Sequence, residues 1–163
     1  MHGPPYVAGV REGIGLKVEL LCSWGGHLQE MLEIQEAWSR YDHEIITYES
    51  ERARAMSDTE PMLIIYPPWK SIPRFLWGLA KSVVHVVFDR PDVLISTGMG
   101  WVDIVIFPIC KILGTYTIYI ESGGNVDYIS GTGNFVRRFA DRFLVRWEGL
   151  AEEIGAEYRG GVI

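Results

Sequence analysis

Residues 18–28 read VELLCSWGGHL, and this stretch decides the fold. Its first five residues are typical of a buried strand, Gly25 and Gly26 form a turn, and a helix is predicted from Leu28 to Arg40. Glycines let a ligand approach the backbone closely, and the first turn of a helix offers unpaired N–H groups backed by the positive end of its dipole. A strand, a glycine turn and a helix in this order therefore predict a site for a phosphate or diphosphate.

The composition indicates one globular domain. The chain has 163 residues, of which 48% are hydrophobic and 22% are charged, and this suffices for one sizeable core and hardly for two. We expect a flexible lead-in over residues 1–16 and a single domain over residues 17–163. The formal net charge of −6 argues against nucleic acid as a partner, because proteins that bind nucleic acid usually present a basic face.

The cysteines and the longest apolar runs bear on cellular location. Cys22 and Cys110 lie in apolar stretches and lack the spacing of metal ligands, which favours a reducing cytosol. The first residues carry no signal-peptide pattern, and no run reaches the roughly 18 to 20 apolar residues of a membrane-spanning helix. The sequence therefore predicts a chain that is neither exported nor membrane-spanning.

Short apolar strands alternate with helices along the chain, which predicts a doubly wound parallel sheet with helices on both faces. Residues 49–61 are charged and predict an exposed connection. The expected strands are Val18–Cys22, His43–Tyr48, Met62–Tyr66, Val93–Ser96, Tyr116–Ile120 and Arg142–Val145, and the expected helices are Leu28–Arg40, Ile72–Phe88, Trp101–Leu113 and Phe135–Phe139.

Three polar or glycine-rich loops follow strands of the predicted sheet: Ser23–His27, Ser96–Gly100 and Glu121–Asn125. One such loop is weak support for a site, since a tight strand-to-helix turn needs glycine for backbone reasons alone. In a parallel sheet, however, the carboxyl ends of the strands meet at one edge, where ligands bind. Three loops in register therefore predict a ligand site at that edge, which we call the rim.

The amino-acid sequences in and around these loops also resemble those of a known family. SWGGHL (23–28) with EML (30–32), PDVLISTG (91–98), IYIES (118–122) and ADRFLVRW (140–147) resemble the oligosaccharide-biosynthesis family. This family includes the membrane-anchoring, acceptor-binding subunit of the two-subunit N-acetylglucosaminyltransferase of dolichol-linked oligosaccharide synthesis, and the PssD-like bacterial polysaccharide proteins. The resemblance runs from about Lys17 to Ile163. More distantly, the loops resemble the N-terminal half of MurG-type enzymes, from which Trp24 and Ser122 depart.

The resemblance implies an α/β, Rossmann-like doubly wound parallel sheet forming a single GT-B N-terminal-type domain. It implies the acceptor-binding subunit of an inverting, metal-independent glycosyltransferase that needs no cofactor and is inactive alone. The acceptor would be a polyprenyl- or dolichyl-diphosphate-linked sugar, and a donor-binding partner subunit would hold the UDP-sugar, N-acetylglucosamine being the expected sugar. The chain would then be a peripheral protein on the cytoplasmic face of a membrane.

Two residues are candidates for catalysis. His27 stands at a helix N-terminus, whose dipole is expected to keep the imidazole neutral so that it can accept the proton of the acceptor hydroxyl. It could instead bind the diphosphate or cap its own loop. Glu121 could be the base, an acceptor for a sugar hydroxyl, or a capping carboxylate for the glycine turn that follows it.

Further residues are expected to bind the acceptor or its diphosphate. Asp103 interrupts an apolar helix, and a carboxylate there is costly unless it is paired or lies in the first turn, facing the rim. The full expected set is Ser23, Gly25, Gly26, Ser96, Thr97, Gly98, Gly100, Asp103 and Asn125.

Two other segments are assigned to contacts outside the rim. Aromatic and basic residues at the start of the long helix, Trp69, Lys70, Arg74 and Trp77, are expected to touch a membrane, although an ordinary sheet-covering helix explains most of the apolar face. Residues 157–163 are typical of a last strand or arm that ends in apolar residues. According to the resemblance, its end would dock the partner through Gly160, Gly161, Val162 and Ile163; a frayed terminus is the alternative.

Other functions stay open at this point. The chain could anchor and position its partner without a catalytic residue of its own, or serve a bacterial-type exopolysaccharide glycosyltransferase that uses another sugar. A nucleotide-cofactor oxidoreductase, with Glu49 holding a ribose, is a minor alternative, because residues 25–27 lack the G-x-G-x-x-G spacing of dinucleotide loops.

Overall fold

A computed structural model describes residues 15–160 of the chain. Within that range the fold is one seven-stranded, all-parallel sheet in the order β3-β2-β1-β4-β5-β6-β7. The strands are β1 (Lys17–Cys22), β2 (Asp42–Tyr48), β3 (Met62–Ile65), β4 (Val93–Gly98), β5 (Tyr116–Ile120), β6 (Arg142–Val145) and β7 (Glu157–Tyr158). The helices are α1 (Gly26–Glu33), α2 (Gln35–Trp38), α3 (Glu51–Met56), α4 (Ile72–Asp89), α5 (Trp101–Leu113), α6 (Gly131–Val136) and α7 (Glu148–Ile154). The expected doubly wound α/β fold is confirmed.

The core lies on both faces of the sheet because side chains alternate along each strand. One cluster joins alternate residues of the central strands to α4 and α5: Leu21, Ile46, Leu94, Phe75, Val86, Val102 and Ile106. The other joins the intervening residues to α1 and α2: Leu20, Ile45, Ile95, Leu28, Met31 and Trp38. Strands buried on both faces explain the nearly continuous apolar runs in the sequence.

The element boundaries differ from expectation in four places. The first predicted helix divides into α1 and α2, and the indole of Trp38 donates to the carbonyl of Met31 at 3.1 Å across the break. Residues 49–61, expected as a connection, contain α3, whose N-terminus is capped by the Ser50 hydroxyl accepting from the Ala53 N–H at 3.0 Å. The helix expected at 135–139 begins earlier, as α6, and α7 was not expected at all.

Two expectations concern the ends of the chain and the membrane. Residues 1–14 of the expected lead-in lie outside the described residues. Among residues 15–160, no helix combines the length and the hydropathy that a bilayer crossing requires.

Candidate functional site

The three loops meet at the rim, and a cavity of about 440 Å³ opens between them. The first and second loops are joined directly, since the Ser23 N–H donates to the Gly98 carbonyl at 2.8 Å. Six of the eleven residues expected to act at the rim line the cavity: Ser23, His27, Gly98, Gly100, Glu121 and Asn125. The lining also includes residues that the sequence did not single out, among them Tyr48, Met99, Tyr119, Ser130 and Thr132.

His27 is held from one side of its ring. Its Nδ1 lies 2.7 Å from the Thr97 carbonyl, which can only accept, so Nδ1 carries a proton. The Thr97 hydroxyl in turn donates to the His27 carbonyl at 2.8 Å. In the neutral ring the lone pair is therefore on Nε2, which has no hydrogen-bond partner among residues 15–160. This tautomer has the lone pair that a general base needs.

Close packing at His27 requires glycine on the facing loop. A Cβ at Gly98 would lie 3.1 Å from both Nδ1 and Cε1 of the His27 ring. Gly98 also has a φ of +116°, a backbone conformation that residues with a side chain rarely adopt. The second glycine loop therefore serves the placement of His27.

The net shift of the His27 pKa is opposite to the decrease that the helix dipole alone would cause. The Glu30 carboxylate, one turn further along α1, lies 3.6 Å from Nδ1 and raises the pKa of the imidazole. Burial of the ring lowers this pKa, and the hydrogen bond to the Thr97 carbonyl raises it further. The carboxylate outweighs the dipole because it brings a full charge next to the ring, while the dipole amounts to about half a charge at the helix end.

Glu30 is a functional candidate that sequence reasoning missed. Its Oε1 accepts from the Ser122 hydroxyl at 3.0 Å and from the Gly123 N–H at 2.9 Å. Burial alone would raise the pKa of this carboxyl, but His27, these two donors and the nearby Arg146 hold it below its usual range. Glu30 thus ties the histidine of the first loop to the backbone of the third.

Glu121 is almost fully buried and already fully engaged. Its Oε1 accepts from the Asn125 amide at 2.7 Å, and its Oε2 accepts from the Ser130 N–H and hydroxyl at 3.2 and 3.1 Å. A Cβ at Gly133 would lie 2.1 Å from Oε2, so a side chain at position 133 would displace the Glu121 carboxylate from these contacts. Glu121 therefore braces the loop that leads into α6. The N–H groups of the glycine turn, which it was expected to cap, are bonded to Glu30 and to the Ser122 hydroxyl instead.

Asp103 lies beneath the second loop and does not line the cavity. It is fully buried, accepts from the Ser96 hydroxyl at 2.6 Å and from the Met99 N–H, and burial raises its pKa to about 6. The expectation that Asp103 faces the rim and meets a ligand is therefore corrected. Its carboxylate accepts hydrogen bonds from the turn that contains Gly98 and Gly100.

A family model described as "Oligosaccharide biosynthesis protein Alg14 like" matches residues 51–163, which is more than half of the chain. The chain belongs to the Alg14-like family.

Curated relatives agree with this family. The chain is 36% identical to the UDP-N-acetylglucosamine transferase subunit ALG14 of Cryptococcus neoformans var. neoformans, over 83% of this chain and 76% of that protein. It is 27% identical to the subunit of the same name from Schizosaccharomyces pombe, over 83% and 78%. It is 34% identical to the Candida albicans subunit over 57% of this chain, but that match spans only 45% of the relative.

Two solved structures show the same fold. MurG from Acinetobacter baumannii superposes with a TM-score of 0.62 over 90% of this chain and 46% of that one, at 14% identity. The UDP-GlcNAc 2-epimerase from Methanocaldococcus jannaschii superposes with a TM-score of 0.63 over 87% and 43%, at 10% identity. The chain thus spans less than half of each neighbour, and the fold it shares with them is of the GT-B type.

The other expected acceptor-binding residues of this Alg14-like chain lie next to the cavity and do not line it. Gly25 precedes α1, and Gly26 borders a neighbouring cavity. Ser96 is buried and donates to Asp103, and Thr97 holds both the ring and the backbone of His27. These residues shape the loops, and their direct contact with an acceptor stays a prediction.

A larger cavity, of about 1070 Å³, lies beside the first, between α1, the third loop and α7. Arg146 borders it and forms an ion pair with Glu33 at 3.1 Å. Trp147 fixes the third loop, because its indole donates to the Gly123 carbonyl at 2.8 Å. These residues belong to the ADRFLVRW motif, whose end therefore helps to hold the rim together.

Helix α4 of the Alg14-like chain shows an apolar surface at the end nearest the rim. Trp69 and Trp77 are exposed, and Trp101, which begins the neighbouring α5, is exposed as well. The Arg74 guanidinium lies 4.9 Å from the centre of the Tyr66 ring, and the Lys70 ammonium lies 3.9 Å from Glu49. The aromatic and basic residues assigned to a membrane thus lie together on the surface; their contact with lipid stays a prediction.

The tail is described only in part. β7 pairs with β6, and Gly160 follows it in an exposed position. The other three residues of the predicted dock, Gly161, Val162 and Ile163, lie outside the described residues.

Glu49, the ribose-binding candidate of the oxidoreductase alternative, pairs with Arg54. The family assignment overturns that alternative.

Proposed function

We propose that this chain is the acceptor-binding subunit of a two-component, inverting glycosyltransferase. The enzyme would transfer N-acetylglucosamine from UDP-N-acetylglucosamine to a sugar carried on a polyprenyl or dolichyl diphosphate. The relatives bear the name of UDP-N-acetylglucosamine transferase subunits, and the name "subunit" supports a partner. The donor-binding partner would supply the second wall of the active site, and neither a metal nor a cofactor would take part in the reaction.

The observation that carries this proposal is the position of His27. It stands at the start of α1, where backbone N–H groups can receive a diphosphate, and its Nε2 carries the lone pair at a cavity formed by three loops. A sugar hydroxyl whose diphosphate is bound at the start of α1 would lie within reach of that nitrogen. His27 would take the hydroxyl proton as the oxygen attacks the anomeric carbon of the donor.

Glu30 would assist this step as a positioning residue. When His27 accepts a proton, the imidazolium that forms faces the Glu30 carboxylate, 3.6 Å from Nδ1. The carboxylate stabilises that charge and keeps the ring oriented, which is the role of the carboxylate in a catalytic triad. The raised pKa of His27 then corresponds to a stronger base.

The membrane and partner contacts complete the proposal. A lipid-linked acceptor requires the rim to lie near a bilayer, and the exposed aromatic and basic residues at the start of α4 border the rim cavity through Trp69. We assign this surface to peripheral contact with the cytoplasmic face of a membrane. The chain end, residues 160–163, would dock the donor-binding subunit.

The test is His27→Ala in the assembled pair of subunits. A general base contributes about 100- to 10,000-fold, so turnover should fall by that factor with little change in acceptor affinity. His43→Ala is the matched control, because His43 also faces a carboxylate, Glu60, but lies at the opposite edge of the sheet. A loss confined to acceptor affinity would reassign His27 to diphosphate binding.

The geometry of Glu121 supports a second candidate function, in which the chain anchors its partner and has no catalytic residue of its own. Since its two oxygens are occupied by Asn125 and Ser130, Glu121 is poorly placed to replace His27 as a base. If His27→Ala leaves turnover intact, the chain would be an anchor that positions its partner and the acceptor without a catalytic residue.

A further inference from the structure

A second cluster of titratable side chains lies at the amino edge of the sheet, opposite the rim. It joins Glu19 of β1 to His85 and Asp89 in the last turns of α4. One ligand atom from each of these three residues lies within 4.8 Å of the others. Glu44 of β2 adds a carboxylate oxygen 3.0 Å from the His85 Nε2. Three potential metal ligands from two elements therefore converge, and the carboxylate of Glu44 lies beside the histidine.

Glu19 is the decisive member of the cluster. It is 1% exposed, in the middle of the sheet, and burial raises its pKa to about 7. Its Oε2 lies 3.0 Å from the His85 Nε2, but its buried Oε1 has no hydrogen-bond partner among residues 15–160. An unsatisfied buried carboxylate oxygen is costly, and native structures retain few such groups without a reason.

The contacts of His85 point the same way. Its Nε2 lies 3.0 Å from a Glu19 oxygen and 3.0 Å from a Glu44 oxygen. One ring nitrogen carries at most one hydrogen, so it cannot donate a full hydrogen bond to both carboxylates. A nitrogen that lies 3.0 Å from each of two carboxylate oxygens is close to the spacing of ligands around a small divalent ion, whose bonds to nitrogen and oxygen are about 2.0 to 2.2 Å long.

The cluster also borders a cavity of about 170 Å³. Four of its nine lining residues are acidic: Glu19, Asp42, Glu44 and Asp89. His43 and Lys17 also line it, and the Lys17 ammonium pairs with Asp89 at 2.5 Å. A water molecule occupies about 30 Å³, so the cavity has room for an ion with some of its hydration shell. The space and the negative charge both favour a cation.

We propose that this amino-edge cluster binds a divalent transition-metal ion of the zinc type, with Glu19, His85 and Asp89 as ligands and Glu44 as a fourth. One imidazole with carboxylates suits zinc better than magnesium or calcium, which prefer oxygen alone. The ion would satisfy the orphan oxygen of Glu19 and fasten the end of α4 to β1 and β2. Its role is structural, and it lies away from the loops assigned to sugar transfer.

The test uses the full chain, freed of metal with a chelator and then titrated with Zn²⁺ in a calorimeter and in thermal unfolding. We expect one site per chain and a rise in Tm on adding Zn²⁺. His85→Gln and Asp89→Asn should each weaken Zn²⁺ binding at least tenfold. Asp89 is partly exposed, so its variant tests the site even if His85→Gln fails to fold.

Glu60→Gln is the matched control, because Glu60 forms a histidine–carboxylate pair with His43 near the same edge and does not line the cavity. It should bind Zn²⁺ like the unmodified chain. The alternative is that Lys17 and a proton on Glu19 neutralise the cluster without a metal. Absence of a Zn²⁺ site in the unmodified chain would support that alternative and overturn the proposal. Equal binding by Asp89→Asn and Glu60→Gln would overturn the proposal as well, because it would place the ion elsewhere.

Discussion

Trp77→Ala tests whether the rim end of α4 enters a membrane. Trp77 is 66% exposed, and an aromatic side chain buries roughly 150 to 250 Å² when it is fully covered. At about 25 cal/mol per Å², complete insertion of the exposed part contributes roughly 3 kcal/mol, and insertion to half its depth contributes about 1.5 kcal/mol. Since 1.4 kcal/mol is a factor of ten, the variant should bind vesicles about tenfold more weakly.

The same helix supplies the control. Phe88 is even more exposed, at 83%, and follows Trp77 by eleven residues, which places it on the same side of α4 and about 16 Å further along the axis. If only the rim end of the helix is inserted, Phe88→Ala should leave vesicle binding unchanged. A difference between the two variants thus separates insertion at the rim from a general loss of apolar surface.

The assay is co-sedimentation with neutral vesicles and with vesicles containing anionic lipid, each at low and high salt. Arg74→Gln should weaken binding only to the anionic vesicles, by about 1 kcal/mol for the lost positive charge, and the effect should shrink at high salt. Unchanged binding of Trp77→Ala, or an equal loss for Phe88→Ala, would refute insertion of the rim end. The helix would then be an ordinary cover of the sheet.

Three further outcomes are expected. Asp103→Asn places an amide donor or a neutral oxygen against the Met99 N–H and should lower the free energy of unfolding by about 1 to 3 kcal/mol, measured by urea denaturation; an unchanged midpoint would contradict its role in bracing the loop. Deleting residues 160–163 should reduce pull-down of the donor-binding subunit while thermal unfolding stays the same, and full recovery of the partner would remove the tail as the dock. Folding raises the pKa of His27, so the stability that the imidazolium contributes is complete below the unfolded pKa of about 6.5 and is lost as pH rises through the folded pKa. His27→Gln should therefore lower the free energy of unfolding more at pH 6 than at pH 9. An equal loss at both pH values would show that Glu30 does not stabilise the imidazolium.

The elements that the sequence predicts well are those whose signals are local. α5 begins at Trp101 and ends at Leu113 as expected, because Gly100 precedes it and Gly114, with φ of +81°, ends it. β5 likewise has its expected bounds. Apolar runs between glycines determine such elements almost without help from the rest of the fold.

The elements that were missed depend on tertiary contacts. α7 is short and rich in glutamate, and its buried residues, Leu150 and Ala151, pack with Val145 of β6. β7 was expected as a last strand or arm, but it has only two residues and exists through its pairing with β6. Helices this short are marginal in isolation, since packing rather than propensity supplies most of their stability.

The residues of the candidate site also divide into those that a local pattern identifies and those that depend on tertiary contacts. The sequence placed His27 at the rim correctly, and the spacing of His27 and Glu30 on one helix was a signal that could have identified the pair, because residues three apart share a face. The contacts of Glu30 with Ser122 and Gly123 span more than 90 residues of sequence, and no local pattern reveals them. The engagement of Glu121 by Ser130 depends equally on how the third loop closes.

In the proposed mechanism, Glu30 connects the first loop, which carries His27, to the third loop. One of its oxygens is held by the third loop, and the other faces the ring of His27. A proton taken up by His27 strengthens the attraction to Glu30, and Glu30 is bonded to the loop that borders both cavities. In the proposed mechanism, proton transfer at the acceptor and the position of the third loop would therefore be coupled. A partner subunit that contacts this loop would act on the base through Glu30 without touching it.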